Sequence, residues 1–183
     1  MVGRMDVDDA RDLAWVFLHR DRPRWVRVEA VAERAWQLRC AVPPSDRDLL
    51  VAAAWLLDLG HSPVLQVTGF PPLDGGRYLA TEGHPQEGAL VVHQSGARFV
   101  AAALGLAERM ERYPFAETPV TDVLTYVDQT TGPAGHRITV TERLAEALSA
   151  PGPVPVGSRR GPYVLAAAAR VEQRLQILRA QAG

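Results

Sequence analysis

The chain has 183 residues, 20 basic and 21 acidic side chains, a formal net charge of −1 and an isoelectric point near 6.5. That length is one domain, large enough to bury a core without staples, and that charge leaves no electrostatic footprint for nucleic acid or an anionic membrane surface. The single cysteine, Cys40, excludes an internal disulfide, no apolar run approaches the roughly 20 residues of a bilayer span, and the acidic start lacks the pattern of a signal peptide, so a cytoplasmic location is expected.

Leu13, Ala14, Val16, Phe17 and Leu18 predict a peripheral helix over 8–19, capped by Asp8 or Asp9, and Arg20-Asp-Arg-Pro23 breaks it. Trp25, Val28, Val31, Ala32, Ala35, Trp36 and Leu38 recur at three-and-four spacing and predict a second helix, with both tryptophans as packing residues. The stretch 46–61 is apolar around most of a helical circumference, so it predicts a buried central helix. Ser45 is its expected N-cap, and Gly60 is its expected end just after Asp58. An ionised Asp58 on so apolar a segment needs partners.

Breakers make 61–72 a loop over one edge of a pocket. Leu73 to Thr81 reads as a short helix in which Asp74 and Arg77 share a face and pair; Arg77 is otherwise a candidate anion binder. Pro85 starts a helix ending at His93, and Ser95-Gly96 separates it from one long helix over 98–112, stopped by Tyr113-Pro114. Pro119, Thr121 and Asp122 open a short helix that Asp128 closes. A turn-rich loop at 130–135 precedes a helix marked by Thr141, Arg143 and Leu144; 151–162 is too rich in breakers for regular structure. A last amphipathic helix over about 163–181, with Val164, Leu165, Ala168, Val171, Leu175 and Leu178 on one side, serves packing or dimerisation. Cys40, at a helix end with no base beside it, reads as a semi-buried packing residue. The fold class expected is therefore all-α, a single-domain bundle of about eight or nine helices.

Three stretches carry a resemblance: Arg24-Trp-Val-Arg-Val-Glu-Ala-Val-Ala32, Ala53-Ala-Trp-Leu-Leu-Asp-Leu-Gly60 and Thr68-Gly-Phe-Pro-Pro-Leu-Asp-Gly-Gly-Arg-Tyr-Leu79. Together they resemble the HD superfamily of all-helical metal-dependent phosphohydrolases, from about Arg24 to Asp128 and on through Thr130-Thr-Gly-Pro133. The resemblance implies a core over about 24–130 and a metal held by an early His, a His-Asp doublet and a distant Asp, with further His residues in many members. Here the early His position is Arg27, the His of the doublet is Leu57, the position after Thr-Gly-Phe is Pro71, and a His-His pair has become His93-Gln94. Asp58, His93 and Asp128 alone keep the family's residue types.

A guanidinium in place of a ligand sets a fixed positive charge beside the remaining carboxylates. At about 4 Å and an effective dielectric near 20, each such attraction is on the order of 4 kcal/mol before desolvation. Arg27 would thus replace the metal's charge, and neither metal nor cofactor is expected. The pocket candidates are Arg27, Asp58, Arg77, His93, Gln94 and Asp128. The preferred reading is a non-catalytic pseudo-hydrolase serving as a binding or regulatory module. The alternative is a metal-independent enzyme or small-molecule binder reusing the pocket, with Asp58, His93 or Asp128 as acid or base and Arg27 or Arg77 holding an anion. The third is a metallohydrolase recruiting His61 or His84. Expected partners are a small anionic ligand or another protein, with a homodimer possible through the last helix, but no nucleic acid and no membrane.

Overall fold

A computed structural model describes residues 4–149 and 159–182. Its α-helices are α1 (Val7–Leu18), α2 (Arg22–Leu38), α3 (Arg47–Leu56), α4 (Pro71–Thr81), α5 (Pro85–Val92), α6 (Ala97–Ala103), α7 (Ala107–Met110), α8 (Pro119–Gln129), α9 (Val140–Ser149) and α10 (Arg160–Ala182), and α7 is a single turn. Among the described residues there is no strand, only an isolated antiparallel bridge between Thr131 and Arg137. The chain is all-α, as expected. No described helix is long and apolar enough to cross a membrane.

The all-round apolar stretch is central. Helix α3 contacts α1, α2, α5 and α8, and Leu49 to Ala54 and Leu56 are all buried. One side of it joins Val31, Ala35, Val123, Val127 and Val171 in a core shared by α2, α8 and α10, and the other packs Ala52 and Leu56 with Ala10, Leu79 and Val91. The helix stops earlier than Gly60, however. Leu56 is its last residue, and Leu59–His61 form a 3₁₀ turn in which the His61 amide reaches the Asp58 carbonyl at 3.0 Å. Gly60 is needed for close approach: a Cβ there would run into the Pro71 carbonyl oxygen and come within 2.6 Å of the Gly75 nitrogen. Tertiary contact with α4 thus tightens the last turn. At the other end Ser45 caps nothing, because Pro44–Asp46 is itself a 3₁₀ turn tied by Arg4, which donates to the Ser45 carbonyl and to Asp46 Oδ1.

Other boundaries also move. Asp6, not Asp8 or Asp9, caps α1, and Asp21 caps α2, whose first turn accommodates Pro23. The single helix expected over 98–112 is two. Gly105 takes φ 72°, and the amides of Leu106 and Gly105 close on the carbonyls of Ala101 and Ala102 at 2.8 and 3.3 Å. This is a Schellman end that a glycine one residue past the C-cap, Leu104, makes favourable. The breaker segment expected over 151–162 lies largely outside the described residues, but its last three, Arg160 to Pro162, already belong to α10.

Several side chains depart from expectation as well. Trp25 is buried between Trp15 and Trp55, whereas Trp36 is 48% exposed with the Arg39 guanidinium 3.7 Å over its ring. Leu165 is also exposed, turned off the buried side of α10 that Val164, Ala168 and Val171 make. Cys40 is exposed, because the chain leaves α2 there for a 3₁₀ turn.

Candidate functional site

Three elements bring three charged side chains together in the interior. Arg27 comes from the middle of α2, Asp58 from just past α3, and Asp128 from the last turn of α8. Arg27 Nη1 donates to Asp58 Oδ2 at 3.0 Å and Nη2 to Asp128 Oδ1 at 2.6 Å, with a further bond from Nη2 to the Asp128 carbonyl at 3.1 Å. Arg27 is only 8% exposed, so it is a buried bridge and not a solvated side chain. Burial opposes its charge, but Asp128 and then Asp58 outweigh burial and raise its pKa. Burial likewise favours protonated Asp128, yet Arg27, Ser95 and Gln129 hold its carboxyl down at about 2.

The Asp128 carboxylate is fully engaged. Ser95 Oγ donates to Oδ2 at 2.5 Å and Gln129 Nε2 to the same oxygen at 2.7 Å. Ser95 has φ 48° and ψ 34°, a left-handed conformation that strains a residue with a Cβ by about 1 kcal/mol or more. Its neighbours hold it there, since its hydroxyl is bound to Asp128 and its carbonyl accepts from Arg160 Nε at 2.9 Å. Asp58 is contacted a second time, by Arg24 Nη1 at 3.4 Å.

Above this bridge opens a cavity of about 400 Å³. Arg24, Arg27, Arg143 and Arg160 line it with Asp58 and Asp128, four guanidinium groups against two carboxylates. Phe70, Pro72, Ala97 and Val100 supply an apolar wall, and His61 stands at the cavity as well. Burial, opposed by Asp58 and assisted by Arg24 and Arg27, pushes the His61 pKa below its ordinary value, so the ring is neutral near pH 7. The buried Gln129 Oε1 has no hydrogen-bond partner among the described residues.

Of the residues singled out from sequence, Arg27, Asp58, Gln94 and Asp128 meet here. Gln94 also donates to the Leu57 carbonyl at 2.9 Å, satisfying an orphan acceptor at the end of α3. Arg77 and His93 do not belong to the site. Arg77 forms no ion pair with Asp74; it donates at 3.5 Å to the Leu65 carbonyl. Asp74 is wholly buried and taken up by the Thr68 amide and hydroxyl and the Gly69 amide at 2.9 to 3.1 Å. A turn's backbone donors have captured the carboxylate that helical spacing assigned to Arg77. His93 lies against Phe115 and donates through Nε2 to the Tyr113 carbonyl, lining a separate cavity.

Sequence reasoning missed Arg24, Ser95, Gln129, Arg143 and Arg160 as site residues. Ser95-Gly96 showed only as a break, and nothing local distinguishes Arg143 or Arg160 from other arginines. A divalent ion does not fit the residues present: both carboxylates hold Arg27, Leu57 is buried and apolar, and His93 faces elsewhere. Among the described residues no group of three or more His, Cys, Asp and Glu side chains is arranged to hold a metal. In comparisons with protein-family models, with curated proteins and with solved structures, no match is found for this chain.

Proposed function

We propose that this protein is a degenerate HD-type module that binds a small organic anion without hydrolysing it. One observation carries the reading: Arg27 stands between Asp58 and Asp128 at 3.0 and 2.6 Å, at the floor of a cavity whose arginines outnumber its carboxylates by two. In the sequence resemblance those carboxylates are metal positions. A guanidinium there supplies the positive charge permanently, and it repels a second cation. It cannot polarise bound water into hydroxide, which is what a divalent ion contributes to phosphoryl hydrolysis.

The remaining guanidinium groups suit a ligand with charged oxygens. Arg160 has no carboxylate within 4 Å among the described residues, and Arg143 has only a partly exposed pairing with Glu146 at 3.3 Å. Both are therefore available to a bidentate oxyanion. The Phe70, Pro72 and Val100 wall suits an apolar portion of the same molecule.

Thermal unfolding with a panel of organic phosphates and carboxylates, alongside turnover assays with added Mn²⁺, tests the proposal. A member of the panel at about 100 times its Kd should stabilise by about 2.7 kcal/mol. Arg160→Gln and Arg143→Gln should each weaken that effect, and no panel member should be turned over. Metal-stimulated turnover that vanishes in Asp58→Ala would overturn the reading, and so would a panel without effect.

A second reading, a metal-independent enzyme, is favoured by the neutral His61 at the cavity. It predicts metal-free turnover whose pH profile rises through the His61 pKa and is lost in His61→Gln.

A further inference from the structure

Away from the Arg27 centre, two arginines stand together without a counter-ion. Arg34 comes from α2 and Arg137 from the residue bridged to Thr131, and they are the two residues common to the walls of a cavity of about 610 Å³ and a smaller one of about 150 Å³. Neither cavity shares a lining residue with the one above Arg27.

Gln37 brings the pair side by side. It lies one helical turn after Arg34 on α2, and its Oε1 accepts from Arg137 Nη2 at 3.2 Å. The turn that carries Arg137 is closed by Gly132, whose amide donates to the His136 carbonyl at 2.8 Å, and by Ile138, whose amide donates to the Thr130 carbonyl at 3.1 Å. It also sits directly on α2, since a Cβ on Gly135 would come within 3.1 Å of the Ala30 Cβ. Among the described residues no carboxylate lies within 4 Å of either guanidinium. Burial, and after it the charge of Arg137, push the Arg34 pKa down against the opposing effect of Tyr126. Nε and Nη1 of Arg34 are buried, which leaves Nη2 as the nitrogen it can offer to a ligand.

The rest of the larger wall limits what such a ligand is. Leu165, Ala168 and Ala169 recur on one face of α10 and give it an apolar side, where Leu165 stays 48% exposed. Three carboxylates stand on the two walls as well. Glu142 accepts from the Thr139 amide and hydroxyl at 2.6 and 2.8 Å, Glu33 accepts from Gln37 at 3.2 Å, and Glu172 has no ion pair among the described residues. Two unpaired cations attract a first negative charge, and three carboxylates oppose a second one.

We propose that Arg34 and Arg137 together bind the carboxylate of a singly charged molecule whose apolar body lies along Leu165, Ala168 and Ala169. A carboxylate has an oxygen for each guanidinium, and the larger cavity falls within the range of about 300 to 1,000 Å³ that small-molecule sites occupy. The site is independent of the anion reading for the cavity above Arg27, because it uses other arginines and refuses a second charge.

Hexanoate, 1-hexanol and hexyl phosphate, the last at about pH 8 where it carries two charges, test it when titrated into the full chain and followed by NMR at the methyl groups of Leu165 and Ala169. Hexanoate should move these signals and bind about tenfold more tightly than either of the others. Arg34→Gln and Arg137→Gln should each weaken hexanoate about tenfold at these methyls, while Arg160→Gln, which alters the other cavity, should leave them as they were. Should Arg34→Gln fail to fold, Arg137→Gln, at an exposed position, decides the matter. Unmoved methyl signals, equal binding of hexanol, tighter binding of hexyl phosphate, full affinity in Arg137→Gln, or a loss at these methyls in Arg160→Gln would each overturn the proposal.

Discussion

Helix α8 carries two buried aspartates bound by arginine, one at each end, and they do different things. Asp122 sits in the first turn, where the helix dipole favours a carboxylate, and its oxygens accept from Arg170 Nε and Nη2 at 2.9 and 2.6 Å and from Arg174 Nη2 at 2.7 Å. Those arginines belong to α10 and keep about a third of their side-chain surface in water, 35% and 29%. They dock the last helix, and if the contact were lost they could return to solvent. Asp128 sits in the last turn, where the dipole opposes its charge, and its cation Arg27 has side-chain exposure of only 10%. Both members lie at the floor of the cavity and keep only about a tenth of their side-chain surface exposed, 10% and 11%. An Arg–Asp contact on the same helix is thus a clamp at one end and a closed charge centre at the other, and the solvent access of the arginine makes the difference.

The largest expected effect comes from deleting the cation of the closed centre. Arg27→Ala leaves buried Asp128 with no cation and Asp58 with only Arg24 at 3.4 Å, and should lower the free energy of unfolding by roughly 3 to 5 kcal/mol, read from denaturant midpoints. Adding Asp128→Asn or Asp58→Asn in that background should recover part of the loss. A cost under about 1 kcal/mol would erase the contrast between the two ends.

An acid titration comes next. The Asp128 carboxyl is held at about 2, against an unperturbed value near 4. A depressed folded-state pKa gives stability that is fully present above the unfolded value and is lost as pH falls from about 4 towards 2. Asp128→Asn should therefore flatten the acid limb of a stability profile between those limits. An unchanged limb would show that Arg27 does not hold the charge of Asp128.

The smallest effect is expected at the clamp. Arg174→Gln removes one of two cations from Asp122 while Arg170 keeps its bidentate contact, so the loss should be about 0 to 1 kcal/mol and should shrink in salt. A loss as large as that of Arg27→Ala would mean that this end, too, is closed to water.

Much of this was legible in the chain. The apolar circumference of residues 49–57 announced a buried central helix, and an aspartate at its end announced a need for partners. The substitution pattern along the resembling stretches pointed Arg27 at Asp58 and Asp128, and the distances bear that geometry out. The misreadings have a common cause. Arg77 was paired with Asp74 by helical spacing, but the Thr68 and Gly69 amides are closer in the fold. The family pattern points His93 at the same pocket as Arg27, but at the C-cap of α5 it turns to Phe115 and the Tyr113 carbonyl, on the wall of the other cavity. Arg143 and Arg160 are not legible as site residues in the sequence, since nothing local sets either apart from the chain's other arginines.

Alternation of apolar and polar residues, with caps and breakers, determined by itself that this chain is helical, which helix is innermost and which carboxylates are stranded at helix ends, because these depend on local periodicity and on the cost of burying charge. Only the tertiary structure decided which donor reached each carboxylate, that α10 brings Arg160 onto the Ser95 carbonyl, and that Gln94 and His93, adjacent in the chain, face separate cavities. A hydrogen bond is won by whichever partner the fold places within about 3 Å, and that distance is not written in sequence separation.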